Sequence, residues 1–264
     1  MSAFEALILG LLQGLTEFLP ISSSGHLVVV PDLLGWEIPS TSFDIVLHLG
    51  TLAAVLTYFW RDVTQVVTSF FRRGNSARAG RRLGVYIALG TVPGIMAGGL
   101  LADRFEALFE APLYVAIFLI VTGLLLVASE AAARRTRNLE KMRIWDSLLM
   151  GAAQALAITP GISRSGATIS AGLFLGLTRE AAARFSFLLS IPIIAGAAVF
   201  KLGNGMADSP EGPAAMALGF LAAAVAGFAA IKFLMKFIRR HDLRIFAYYV
   251  WALAAFLLVY RFAF

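Results

Sequence analysis

Long apolar runs separated by short basic clusters set the pattern of this chain. The stretches 83–101, 111–129, 214–231 and 245–260 carry no Asp, Glu, Lys or Arg. Each is close to the roughly 20 residues that cross a bilayer as a helix. Segments 42–60, 83–101, 112–130, 180–200, 214–235 and 245–263 are therefore predicted as six membrane spans. Two further apolar regions, 3–35 and 145–177, are broken near their middles, at Pro20 to Gly25 and at Pro160 to Gly166.

Loop charges order these segments. Arg61, Arg72, Arg73, Arg78, Arg81 and Arg82 form one basic cluster; Arg134, Arg135, Arg137, Lys141 and Arg143 a second; Lys236, Arg239, Arg240 and Arg244 a third. Loops 102–111 and 201–213 are mixed or acidic. The Lys/Arg bias places the three basic clusters in the cytoplasm and the other two loops outside. The six spans alternate correctly only if 3–35 and 145–177 each enter and leave on one side, as re-entrant helix pairs. Broken backbone at membrane depth is tolerated where protein or a water-filled cavity surrounds it.

The two broken regions match each other. With Gly10 placed on Gly151, an offset of 141, Gln13 meets Gln154, Ser22 meets Ser163, Ser24 meets Ser165, Gly25 meets Gly166 and Gly35 meets Gly176. Three spans follow each hairpin. The expected fold is an all-α integral membrane protein: one domain, 1–264, built as an inverted-topology repeat of about 1–130 and 145–264. In such repeats the paired interrupted segments point to a central site.

Composition agrees. Apolar residues make up 59% of 264 positions and charged ones 14%, against about a quarter charged in soluble domains; mean hydropathy is +0.81. The net charge of +6 reflects the loop clusters, so nucleic acid is excluded as a partner. There is no cysteine and hence no disulfide. With Glu5 and no basic leader, the start of the chain is not read as a cleaved signal peptide.

Against this apolar background the chemistry is concentrated at the two breaks. The first holds Glu17, Ser22, Ser23, Ser24, Gly25 and His26; the second holds Ser163, Arg164, Ser165, Gly166 and Thr168. A charge near the bilayer centre costs about 2.5–3.5 kcal/mol on insertion scales and marks a functional candidate. Arg offers a planar fork for phosphate oxygens, and Gly-flanked serines at helix N-termini add N–H donors and a positive dipole end. A serine beside a His or Glu can be activated as a nucleophile. Gln13 lies one turn before Glu17 on the same face. Three other polar groups read as structural: His48 paired with nearby Asp44, His241 solvated in a basic loop, and Arg184 snorkelling or paired with Glu180.

Ser24-Gly25-His26 and Ser163-Arg164 resemble pieces of the acid-phosphatase-type lipid phosphatase signature, but that signature needs a second His after Ser-Arg. Ser170 stands six positions after Arg164 and no His lies nearby. QGLTEFLPISSSGHL and PGISRSGATISAGLFLG resemble, much more closely, the two signature regions of the undecaprenyl-diphosphate phosphatases of the bacitracin-resistance type. The resemblance extends over essentially the whole chain. It implies hydrolysis of the polyprenyl diphosphate to the monophosphate, a phosphoric anhydride hydrolysis that recycles the lipid carrier of cell-wall synthesis. It implies a multi-pass protein of the bacterial plasma membrane with its site open to the outer side, and help from Mg²⁺ or Ca²⁺. The partners are then the lipid substrate and the bilayer, with a homodimer left open.

Carried over by position, Gln13 and Glu17 fill the family's [E/Q]-x-x-x-E pair, with Glu17 the metal ligand. Ser23 falls on the favoured nucleophile, with His26 as its partner. Ser163, Arg164 and Thr168 fall on the phosphate-binding loop, alongside Ser22, Ser24, Gly25, Ser165 and Gly166. Gln at position 13 leaves one carboxylate where many members have two. Inverted repeats with broken helices are also transporter architecture, so a carrier of a lipid phosphate or another anion is the alternative; serine and histidine in the pocket favour chemistry.

Overall fold

The computed structural model describes the backbone of residues 1–37, 39–109, 112–202 and 210–263. Among these residues it contains eleven α-helices: α1 (Ala3–Phe18), α2 (Ser23–Leu34), α3 (Thr41–Tyr58), α4 (Trp60–Ser69), α5 (Asn75–Phe109), α6 (Pro112–Ala132), α7 (Ile144–Leu156), α8 (Arg164–Phe174), α9 (Arg179–Leu202), α10 (Gly212–Phe237) and α11 (Arg244–Ala263). Five are long and apolar enough to cross a membrane, by length and composition: α3, α5, α6, α9 and α10. The apolar part of α11, Arg244–Tyr260, is shorter. The expected external loops, 102–111 and 201–213, lie partly outside the described residues. The first basic loop contains α4, and α5 begins at Asn75 rather than at 83. Arg82 in its early turns donates to the Glu140 carbonyl at 2.5 Å.

The broken regions fold as pairs of short helices. α1 has 16 residues, about 24 Å at 1.5 Å per residue, and falls short of the roughly 30 Å hydrocarbon core. α2, α7 and α8 are shorter still, with 12, 13 and 11 residues. Pro20 ends α1: the residue before a proline is pushed out of the helical region, and Leu19 is extended at φ −71°, ψ 143°. Each second helix restarts on a serine cap. The Ser22 hydroxyl accepts from the Gly25 N–H at 3.3 Å, and the Ser163 hydroxyl from the Gly166 N–H at 3.1 Å. The two turns place their left-handed residue differently. In the second it is Gly161, at φ 91°. The matching position in the first is Pro20, which cannot adopt that angle, and the positive φ falls instead on Ser22, at 70°. Such a conformation costs a non-glycine residue about 1–3 kcal/mol.

The two halves interlock. α1 packs most extensively on α10, and α7 packs on α5. Gly10 and Gly151, which match in the sequence offset, make these crossings possible. A Cβ on Gly10 would lie 2.5 Å from the Gly219 carbonyl oxygen, and one on Gly151 would collide with the Gly90 backbone.

On the side of the basic loops, carboxylates tie helix ends together. Glu130, fully buried, accepts from Arg135 at 2.5 Å, from Arg179 Nε and Nη2 at 2.7 Å each and from the Leu243 N–H at 3.0 Å. It thereby joins the end of α6 to the starts of α9 and α11. Arg137 binds both oxygens of Asp146 and the Leu175 carbonyl. Arg184 does not pair with Glu180. It reaches across to Asp62 on α4, while Glu180 accepts from Arg239 at 2.8 Å. His241 is exposed and stacks on Phe237.

Gly10→Ala should lower the thermal midpoint of the detergent-solubilised protein by several degrees, since overpacking costs about 1–3 kcal/mol. Leu11→Ala, at an exposed neighbouring position, should change it little.

Candidate active site

The two breaks meet. The Ser165 hydroxyl, at the start of α8, donates to the Leu19 carbonyl at 2.9 Å and satisfies a group freed by the first break. Arg164 Nη2 donates to Glu17 Oε1 at 2.6 Å, joining the first turn of α8 to the last turn of α1. Both partners are largely withdrawn from solvent, with side chains 14% and 7% exposed. The second oxygen of Glu17 accepts from the Ser23 hydroxyl at 2.6 Å and from Gln13 Nε2 at 3.1 Å.

These groups border a cavity of about 240 Å³. Its polar lining is Glu17, Ser22, Ser23, Ser24, Asp44, His48, Ser163 and Arg164; its apolar lining comes from Ile45, Ala157, Ile162 and the α9 segment Ile193–Ala198. The N-termini of α2 and α8 both face it, so two sets of free N–H groups and two positive dipole ends converge there. Arg164 Nη1 is buried and without a partner, and so is Gln13 Oε1. Of the two, Arg164 Nη1 belongs to a residue that lines the cavity, so this free nitrogen is available to a group bound there.

Most of the sequence-derived site residues come together here: Gln13, Glu17, Ser22, Ser23, Ser24, Ser163 and Arg164. Gly25 and Gly166 supply the N–H groups that the Ser22 and Ser163 hydroxyls cap. The neighbouring hydroxyls pair in both tips, Ser22 with Ser24 at 3.3 Å and Ser163 with Ser165 at 3.2 Å.

Gln13, Gly25, Ser165 and Gly166 support the lining residues without lining the cavity themselves, and Thr168 and His26 also lie outside its lining. Thr168 is fully buried, donates to the Arg164 carbonyl at 2.8 Å and bonds Ser186 at 2.6 Å. It braces α8 against α9. Both ring nitrogens of His26 are engaged by groups other than Ser23. Its Nδ1 lies 2.7 Å from the Ser22 carbonyl, which can only accept, so Nδ1 carries a proton; its Nε2 lies 2.7 Å from the Tyr249 hydroxyl on α11. The two rings are stacked, with centroids 5.7 Å apart.

The sequence reading assigned His48 and Asp44 to structure alone, yet both line the cavity. His48 Nδ1 is 2.9 Å from the Asp44 carbonyl and 3.4 Å from its carboxylate, and Nε2 is 3.9 Å from Glu17 Oε2. The available signal was their i, i+4 spacing, which puts two polar groups on one face of an otherwise apolar span.

Comparison with known proteins bears on this site directly. The family model described as "Bacitracin resistance protein BacA" matches residues 6–256. Curated relatives named "Undecaprenyl-diphosphatase" include those of Moorella thermoacetica, 45% identical over 255 residues (97% of this chain and 96% of the relative), and Rubrobacter xylanophilus, 46% identical over 259 residues (95% of each). A third, from Pelotomaculum thermopropionicum, is 45% identical over 249 residues, 94% of this chain and 93% of its own.

Removing one partner of a buried ion pair strands the other's charge, at about 3–5 kcal/mol, whereas removing both costs much less. Glu17→Ala and Arg164→Ala should therefore each depress the thermal midpoint more than the double variant does.

Proposed function

Because the chain belongs to the bacitracin resistance protein BacA family, we propose that it hydrolyses undecaprenyl diphosphate to undecaprenyl phosphate and inorganic phosphate. One observation carries the chemistry: a serine hydroxyl, Ser23, donates to a carboxylate, Glu17, beside an arginine with an unpartnered nitrogen, at the mouths of two helix N-termini. That set combines a nucleophile, its base and a phosphate clamp.

The cavity has room for a diphosphate but not for a polyprenyl chain. The headgroup enters it, and the tail passes over Ile45, Ile193, Ile194 and the neighbouring alanines toward the lipid. Arg164 offers Nη1 to the phosphate oxygens and swings Nη2 toward them, which releases Glu17 Oε1. Ser23 Oγ attacks the terminal phosphorus in line with the bridging oxygen, and its proton passes to Glu17 Oε2. The bond from phosphorus to the bridging oxygen breaks, and undecaprenyl phosphate departs. Water then adds to phosphorus as the bond to Ser23 breaks; both water hydrogens leave on dihydrogen phosphate, and Glu17 returns its proton to Ser23. Charge is stabilised by Arg164 and the N–H groups of α2 and α8, as phosphoryl transfer requires. His26 acts at one remove, bracing the Ser22 carbonyl and the strained turn that presents Ser23.

Mg²⁺ or Ca²⁺ fits the residues present. The unpartnered Gln13 Oε1 and the Glu17 carboxylate are hard oxygen ligands one helical turn apart, with the diphosphate supplying further oxygens. Among the described residues no cluster of three His, Cys, Asp or Glu forms a self-sufficient metal site. When bound, the cation would neutralise diphosphate charge.

In the membrane, α1–α2 and α7–α8 form the two re-entrant pairs, and α3, α5, α6, α9, α10 and α11 the six spans of the inverted repeat. The cavity lies at the Asp44–His48 end of α3 and the Ile193–Ala198 end of α9, away from Arg61 and Arg179. With the basic ends cytoplasmic, it opens to the outer face of the plasma membrane.

Phosphate release from undecaprenyl diphosphate in detergent with Mg²⁺ or Ca²⁺ tests the chemistry. Ser23→Ala and Arg164→Ala should each lose at least about a thousandfold in rate. Release that survives Ser23→Ala would overturn the serine nucleophile, and folded wild type without release would favour an anion carrier. Orientation has its own test: because the chain has no cysteine, Ala197→Cys should react with a membrane-impermeant thiol reagent added outside intact cells.

A further inference from the structure

The mechanism above leaves unused two polar residues that line the same cavity, Asp44 and His48. His48 stands in the N-terminal half of the apolar helix α3, where an imidazole is expensive unless something uses it. Its side chain is one third exposed and lines the cavity. The ring is held from one side: Nδ1 lies 2.9 Å from the Asp44 carbonyl and 3.4 Å from the Asp44 carboxylate. Since the carbonyl can only accept, Nδ1 carries a proton, and the ring orientation is fixed by the backbone of its own helix.

Nε2 is the free end. It makes no hydrogen bond among the described residues, and its 3.9 Å separation from Glu17 Oε2 is too long for one. A ligand oxygen can sit within about 2.8 Å of Nε2 without displacing any bond His48 makes. Glu17 thus has a cationic neighbour at one oxygen and an imidazole near the other: Arg164 holds Oε1, while His48 Nε2 stands 3.9 Å from Oε2, the oxygen that accepts from the Ser23 hydroxyl.

We propose that His48, oriented by Asp44, is a direct substrate contact that donates from Nε2 to the diphosphate, as the counterpart of Arg164 near the other oxygen of Glu17. With Nδ1–H committed to Asp44, donation from Nε2 takes the imidazolium form, whose charge is balanced by the Asp44 and Glu17 carboxylates. Two cations of different shape then grip the headgroup. The guanidinium fork spans two oxygens and the imidazolium fixes a third direction, which sets the terminal phosphorus in line with Ser23. Asp44 is a positioning residue that acts through His48.

The inference rests on the phosphatase reading, and two measurements keep the failures of the two apart. The first is calorimetric binding of methylene diphosphonate, which cannot be hydrolysed, to wild type, His48→Ala and His48→Gln. Charge-assisted hydrogen bonds lead us to expect about tenfold or more weaker binding for His48→Ala. His48→Gln, whose amide can also donate, should recover most of it. The second is steady-state phosphate release, where the loss should fall on KM more than on kcat and be relieved by His48→Gln. Should His48→Ala not be monodisperse, His48→Asn, too short to reach the ligand, replaces it. Binding by the alanine variant within twofold of wild type, no recovery with glutamine, a loss confined to kcat, or no binding of the analogue by wild type would overturn the contact. Wild type that binds the analogue but releases no phosphate would overturn the phosphatase reading and leave the contact to be decided by the binding series.

Discussion

A carboxylate and a guanidinium withdrawn from solvent are each costly alone and far less so together. Glu17 and Arg164 meet at 2.6 Å, and most of the architecture serves that meeting. The helices that carry them are broken, so that α1 ends at Glu17 and α8 begins at Arg164. The breaks expose backbone groups that lipid could not satisfy, and the tips solve this mutually. Ser165 takes the Leu19 carbonyl, and the Thr122 hydroxyl both donates to the Gly161 carbonyl and accepts from the Ser163 N–H. The ion pair is consequently less a fastening than a held position. Each member also lines the cavity.

The rest of the interior is arranged to keep the tips in place. Glycines at the crossings of α1 with α10 and of α7 with α5 let helices from opposite halves touch backbone to backbone, a contact that packing alone must stabilise within lipid. At the basic end, Glu130 gathers three helix termini with four hydrogen bonds. The two tips therefore sit between a hydrogen-bonded base and a close-packed pair of crossings.

Much of this was legible in the sequence because it rests on local rules. Pro20 and Pro160 announce the breaks, Ser22 and Ser163 are cap residues with glycine three positions on, and the apolar runs define the long helices. The site's main polar residues were legible for the same reason: charge and hydroxyl groups stand out against an apolar background. What escaped was long-range. The partner of His26, Tyr249, lies 223 residues away, and the partner of Arg184 was Asp62 rather than the i−4 neighbour that local spacing suggested. The position of Thr168 in the second motif suggested a phosphate ligand, whereas its hydroxyl is consumed by its own helix and by Ser186. His48 has a sufficient local explanation in its neighbour Asp44, and that it lines the cavity depends on how α3 packs on α1, α9 and α10, which local spacing does not reveal.

The crossing of halves also governs the order in which the molecule can be made. α1 leaves the ribosome first, but the helix it embraces, α10, is nearly the last, and the counter-charge of Glu17 follows 147 residues later. Until then the Glu17 carboxylate lacks its guanidinium and Gly10 lacks the backbone it packs against, so the first tip reaches its final surroundings only after both α8 and α10 have been made.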